Sequence, residues 1–469
     1  MSAITDADVA LDPNSAKALQ DLARKHLWMH FTPLGKFDDD NPVPLIVRGE
    51  GCYVWDSEGR RYLDGFASLF CTQIGHGRGD VAQAGADQGA ELAYFNNWGY
   101  AHPPAIELAT LIAELAPGDL NRVFFTNSGS ESVETAYKLA RQYHKLAGKP
   151  NKTKLIAREI AYHGTTFGAL SATGLTPYRE VFEPLTPGSS HVPCTNLYRK
   201  PEWQPVEEYA EAIRRRIEFE GPDTVAAVIL EPVQNAGGCL VPPDGYFQRV
   251  REICDEYDVL LISDETICAW GRLGTMFGCE RIGYQPDILT TAKGLTSGYA
   301  PMGCVIVSDK VSAPFLKNDG TLFMHGATWG GHPIAAAVAL ANLAVFRDED
   351  LIGHVQANEA NFKAMVDSLA DLPIVGDVRG IGYFWAIELV KDKQTKESFT
   401  AEESDELLDG FLSTEFFKRG LICRSDDRGD PVVQLAPPLI AGPEQFAEME
   451  AVLRPVLREA GERMGLSGA

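Results

Sequence analysis

Short apolar runs without alternation dominate the middle of the chain. Residues 123–126, 155–157, 225–230, 259–263, 288–291 and 304–307 are nearly continuous hydrophobic stretches, with helical patterns between several of them. Strands that do not alternate are buried on both faces, and intervening helices supply the crossovers of a mainly parallel sheet. The clearest helix begins at Glu131, where Val133, Ala136, Tyr137, Ala140, Tyr143 and Ala147 fall on one face. The chain ends follow other patterns. A helical stretch at 16–26 and an acidic break at 38–42 precede short strands at 45–47, 52–55 and 62–63. Turns at 49–51 and 56–59 make these strands a small antiparallel meander. Beyond residue 347 the pattern gives a helix at 359–369, a strand at 383–389 and a helix at 402–418. Strands at 421–423 and 432–435 follow, then a last helix from Glu444 that Pro455 kinks or divides. The expected architecture is α/β: a large domain over 71–345 and a smaller α+β domain formed by both ends, 1–70 and 346–469.

Length and charge narrow the field. A chain of 469 residues exceeds what one hydrophobic core usually holds. Its formal net charge of −23 argues against a nucleic-acid partner, which would need basic stripes. The acidic N-terminus shows no secretory signal, and the longest apolar stretch, 334–346, is alanine-rich, contains Asn342 and is too short to span a bilayer. It reads as a buried helix, and the chain as cytoplasmic. The nine cysteines are odd in number and form no Cys-x-x-Cys pair, which fits reduced thiols rather than a disulfide frame or zinc site.

Candidate chemistry gathers where the central strands end, the edge at which open α/β sheets bind ligands. Asp264 closes the run 259–263 and can pair with a protonated pyridine nitrogen; an N-cap or a structural ion pair is the plainer alternative. Lys293 follows the next run, where an amine can form a Schiff base with an aldehyde and act as a general base, although most lysines are simply solvated. Ser128, Gly129 and Ser130 open the helix after strand 123–126, a ready anion site or an ordinary serine cap. Tyr162 and His163 lie beyond strand 155–157, where an aromatic ring could stack on a flat cofactor, and Glu231 closes strand 225–230. A carboxylate for a ring nitrogen, an amine for an aldehyde and a cradle for a phosphate are the handles for pyridoxal 5′-phosphate (PLP). No Walker loop, Gly-x-Gly-x-x-Gly after a strand or His-Glu-x-x-His is present, so no nucleotide or metal site is expected.

These segments, in this order, resemble the class III (subgroup II) aminotransferases, PLP enzymes of fold type I. The stretch DETICAWGRLG at 264–274, joined to PDILTTAKGLTSGYAPMG at 286–303, carries the likeness most specifically. The resemblance implies that Lys293 forms the Schiff base with the cofactor, Asp264 pairs with its ring nitrogen and Tyr162 stacks on the ring, with His163 beside it. Gly129 and Ser130 would hold the phosphate, completed by Thr328 from a second subunit. A homodimer with shared active sites is thus implied, and pairing of dimers into tetramers is left open. Glu231 matches a glutamate near the cofactor. Thr266 stands where the family commonly has valine behind the ring, a departure that touches pocket shape rather than the reaction.

Residues 69–71 and 94–98 resemble pocket segments of ω-amine:pyruvate transaminases, with Phe70 and Trp98 as aromatic walls. Arg424 matches the mobile arginine that such enzymes place on a substrate carboxylate; Arg428 is the alternative partner. The function implied is transfer of an amino group from a primary amine or ω-amino acid to a keto acid, pyruvate first, by a ping-pong mechanism. An aminomutase or decarboxylase on the same scaffold, or a 2-oxoglutarate-using 4-aminobutyrate-type enzyme, is the alternative. A non-catalytic binding protein with the same loops is the plainest.

Overall fold

The computed structural model describes residues 10–466. Three strands come first: β1 (Ile46–Glu50), β2 (Tyr53–Asp56) and β3 (Arg61–Asp64), an antiparallel meander. Seven occupy the middle: β4 (Leu120–Thr126), β5 (Lys154–Arg158), β6 (Ser189–Val192), β7 (Val225–Leu230), β8 (Leu260–Asp264), β9 (Ile288–Thr291) and β10 (Gly303–Ser308). They hydrogen-bond in the order β4-β10-β9-β8-β7-β5-β6. β10 runs antiparallel to both its neighbours, β4 and β9, so the other six point one way and end on a common edge.

Every residue of β7, β8, β9 and β10 is buried, which is why their sequences show no polar alternation. Helix Gly129–Leu146 covers one face, with Val133, Ala136, Tyr137 and Ala140 packed among Leu155, Ile229 and Ile262. Helices Glu208–Glu220 and Tyr246–Glu256 cover the other, against Ile156, Val228 and Leu261. Each fully buried Val, Leu or Ile side chain stabilises the fold by about 1.5–3 kcal/mol. Helix Pro333–Asp348, the alanine-rich stretch, is buried as expected. No helix among the described residues is long and apolar enough to cross a membrane.

The last strands are β11 (Val375–Ile381), β12 (Phe384–Leu389), β13 (Leu421–Ile422), β14 (Arg424–Asp426) and β15 (Val432–Leu435). Four of them form an antiparallel sheet in the order β11-β12-β15-β14. β13 instead pairs in parallel with β3, so the first and last parts of the chain share one sheet.

Several elements depart from expectation. β6 was not expected because Ser-Ser-His-Val carries no apolar run, and it sits at the sheet edge where burial is incomplete. β11, Val-Gly-Asp-Val-Arg-Gly-Ile, reads as a loop because of its two glycines and two charges. The helix expected at 402–418 is Ala401–Leu407, a π-turn over Leu408–Leu412 and Ser413–Lys418, the wider winding falling at Gly410. Pro455 does not divide the last helix, which runs Pro443–Arg463 around it.

Candidate active site

The strand ends converge on a cavity of about 840 Å³. Ser128, Gly129, Ser130, Tyr162, His163, Glu231, Asp264, Thr266, Lys293, Phe70 and Arg424 all line it. Most reach it from the turn after a strand: Ser128 to Ser130 after β4, Tyr162 and His163 after β5, Glu231 after β7, and Lys293 after β9, whereas Arg424 opens β14. Asp264 is the last residue of β8.

Asp264 is buried and amply hydrogen-bonded. Its Oδ2 lies 2.7 Å from His163 Nδ1. Its Oδ1 accepts from Thr266 N at 3.1 Å, Thr266 Oγ1 at 2.6 Å and Thr290 Oγ1 at 3.2 Å. Burial alone would push the carboxyl up, but the His163 and Thr266 hydrogen bonds hold it below the usual carboxylate range. The side chain is therefore an anion facing the cavity. His163 Nε2 is buried without a hydrogen-bond partner among the described residues.

Lys293 opens a short 3₁₀ turn with φ of 44°, a left-handed conformation rare outside glycine. Burial pushes its amine below an ordinary lysine, against the opposing pull of Cys71, Asp264 and Glu231. Its Nζ sits 5.5 Å from the centre of the Phe70 ring. Glu231, whose proton affinity burial raises, accepts from Asn235 N at 2.9 Å and Tyr162 N at 3.4 Å.

The turn after β4 is shaped for an anion. Ser128 caps helix Gly129–Leu146, accepting from Glu131 N at 3.3 Å, and with Gly129 and Ser130 sets the start of this eighteen-residue helix on the cavity wall. Ser130 Oγ accepts from Thr165 N at 2.8 Å. A Cβ on Gly129 would meet Thr266 Cγ2 at 2.7 Å, and one on Gly164 would collide with Ser130, so the cradle's floor admits only glycine. A phosphate cradle, a buried anion and a buried amine in one cavity fit PLP: Gly129 and Ser130 for the phosphate, Asp264 for the ring nitrogen, Lys293 for the aldehyde.

The two arginines differ sharply. Arg428 is locked on Asp426, with Nε at 2.8 and 2.9 Å from the two carboxylate oxygens and Nη2 at 2.6 Å. Arg424 approaches the same Asp426 only at 3.6 Å and lies 6.0 Å from the Phe66 ring. Burial beside Arg428 lowers its proton affinity, so an arriving carboxylate would relieve it.

Trp98 and Thr328 stand apart from the rest. Both are exposed and neither lines this chain's cavity. They lie together, their segments tied by Tyr94 Oη donating to Thr328 O at 2.7 Å and Asn97 Nδ2 to Gly330 O at 3.2 Å. The expected aromatic wall at Trp98 is therefore not part of the pocket within one chain. Phe31 and Tyr178, stacked at 5.3 Å, line the cavity, and sequence reasoning missed them because neither belongs to a patterned element. Phe66 was missed for the same reason.

The family model for class-III aminotransferases matches residues 36–457, and the chain belongs to that family of PLP-dependent enzymes. It is 56% identical over 456 residues to a probable aminotransferase of Mycobacterium tuberculosis, covering 96% of this chain and 97% of the other. It is 40% identical over 445 residues to a putrescine–pyruvate aminotransferase of Pseudomonas aeruginosa, covering 93% and 95%. Among solved structures, the ω-transaminase of Pseudomonas jessenii in complex with PMP superposes with a TM-score of 0.90 at 32% identity, covering 96% of this chain and all of that one.

Proposed function

We propose that this aminotransferase moves the amino group of a primary amine or ω-amino acid onto a keto acid, pyruvate foremost, in two half-reactions at one site. One observation carries the reading: a buried amine, Lys293, shares a cavity with the paired Asp264 and with a loosely held arginine, Arg424. PLP, when bound, supplies an aldehyde that exchanges amines and a ring that takes up the electron pair of a broken C–H bond. Lys293 Nζ, whose proton affinity burial lowers, removes the proton from the donor's amine-bearing carbon. In the second half-reaction the same nitrogen returns a proton to the carbon of the keto acid. Asp264, kept ionised by His163 and Thr266, faces the ring nitrogen and favours its cationic form. Phe70 covers Lys293 and excludes water. Arg424 forks onto the keto acid's carboxylate and swings aside for an uncharged donor. The putrescine–pyruvate relative supports pyruvate as acceptor.

Thr328 and Trp98 fit a homodimer in which each subunit completes its partner's cradle. Exposed Tyr94, Phe95, Trp98, Met324 and Trp329 make an apolar surface of the kind that pairs.

The test is a donor-by-acceptor panel on the PLP-loaded protein, with borohydride reduction to trap the coenzyme. Net transfer to pyruvate and a pyridoxyl label on Lys293 are expected, and Lys293→Ala should lose both while still holding the coenzyme without a covalent bond. Turnover by that variant would remove Lys293 from the mechanism.

A further inference from the structure

A second aspartate–histidine pair, its carboxylate buried and its imidazole half-buried, lies behind the pocket, and the mechanism does not use it. Asp64, at the end of β3, lies 2.8 Å by its Oδ2 from His76 Nε2, and its side chain is 2% exposed. The same carboxylate accepts from Ser68 N at 2.9 and 2.8 Å, from Phe66 N at 3.3 Å and from Ser68 Oγ at 3.3 Å. All of these donors but His76 belong to one turn.

That turn is strained. Ala67, Ser68 and Phe70 have φ of 45°, 59° and 60°, left-handed values that L-residues avoid. Such backbone persists only when its surroundings over-determine it. Here the surroundings are Asp64, bonded by His76 and, at 3.5 Å, by Thr72 Oγ1, together with the packing of Phe66 and Phe70 against each other and Phe384. The conformation sends three side chains into the cavity: Phe66, 6.0 Å from the Arg424 guanidinium, Leu69, and Phe70, 5.5 Å from Lys293 Nζ.

We infer that the Asp64–His76 pair is a positioning device for the donor pocket: by pinning the strained turn that carries Phe66, Leu69 and Phe70, it sets which amines fit against Lys293. This deepens the transaminase reading and rests on it. Neither residue touches substrate or coenzyme, so both act through the wall they hold. A bulky donor uses that wall; a small one does not reach it.

The experiment compares 1-phenylethylamine with isopropylamine, pyruvate as acceptor, in the PLP-loaded wild type and in Asp64→Asn, His76→Gln and His76→Leu. Asp64→Asn and His76→Leu should raise KM for 1-phenylethylamine about tenfold while leaving KM for isopropylamine, and coenzyme content, within about twofold. His76→Gln keeps an N–H donor and should stay near wild type. If Asp64→Asn does not fold, the two His76 variants carry the same comparison. Equal loss on both amines, no change on either, or His76→Gln as impaired as His76→Leu would overturn the inference. A wild type that transfers nothing from either amine would overturn this inference, whereas the transaminase reading falls only if no donor of the panel gives net transfer.

Discussion

Thr266 replaces a side chain that has no hydrogen to donate in the usual family pattern, and its hydroxyl sits 2.6 Å from Asp264 Oδ1. Because the carboxyl is held below its ordinary value, the anion persists as pH falls, and the stabilisation its donors provide is present above the usual carboxylate pKa. That stabilisation is lost only as pH falls through the lowered value. Thr266→Val removes one donor at nearly constant volume, so the acid limb of the pH–rate profile should move to higher pH. An unmoved limb would show that the hydroxyl is idle. The two arginines should separate as cleanly. Arg424→Ala should raise KM for pyruvate about tenfold and leave an uncharged amine within about twofold, because its fork is free for a carboxylate. Arg428→Ala strips buried Asp426 of its short guanidinium bonds and leaves only Arg424 at 3.6 Å, so thermal melting should report a loss of about 3–5 kcal/mol instead.

Turns after strands hold the chemistry at the scale of elements. Gly164, with φ of 115°, lies where a Cβ would strike Ser130, and the helix start proposed to cradle the phosphate depends on that clearance. Gly164→Ala should therefore weaken coenzyme binding about tenfold, read by titration of the apo protein, and destabilise the fold by about 1–3 kcal/mol. The buried strands were legible because burial on both faces writes an unbroken apolar run, and that is also why Asp264, Glu231 and Lys293 stood out as polar residues at run ends. β11 was illegible because its pairing with β12 overrides a glycine- and charge-rich sequence. The turn over 66–70 was equally hidden. Phe-Ala-Ser-Leu-Phe contains no glycine, proline or asparagine to mark left-handed backbone, and the bonds to Asp64 that accompany its shape are not written in any local pattern. Phe31 and Tyr178 meet only through the tertiary fold, which no local pattern records.

At the scale of the whole molecule, the displacement of Thr328 and Trp98 from their own cavity makes a prediction about pairs of chains. Mixed dimers of Lys293→Ala and Thr328→Ala chains would carry one doubly damaged site and one intact site if subunits complete each other. Activity should reappear on mixing and re-forming dimers of the two variants in equal amounts, towards about a quarter of wild type, because half the dimers are mixed and each of those has one intact site of two. No recovery would mean that Thr328 serves its own chain. β13 has a consequence of its own. Its partner, β3, leaves the ribosome early, whereas β13 is made only when synthesis is nearly finished. Until then the nascent meander presents an unzipped backbone edge to any neighbouring chain. Production of this enzyme should accordingly depend on holdase chaperones, and truncations just before residue 421 should precipitate rather than merely lose turnover.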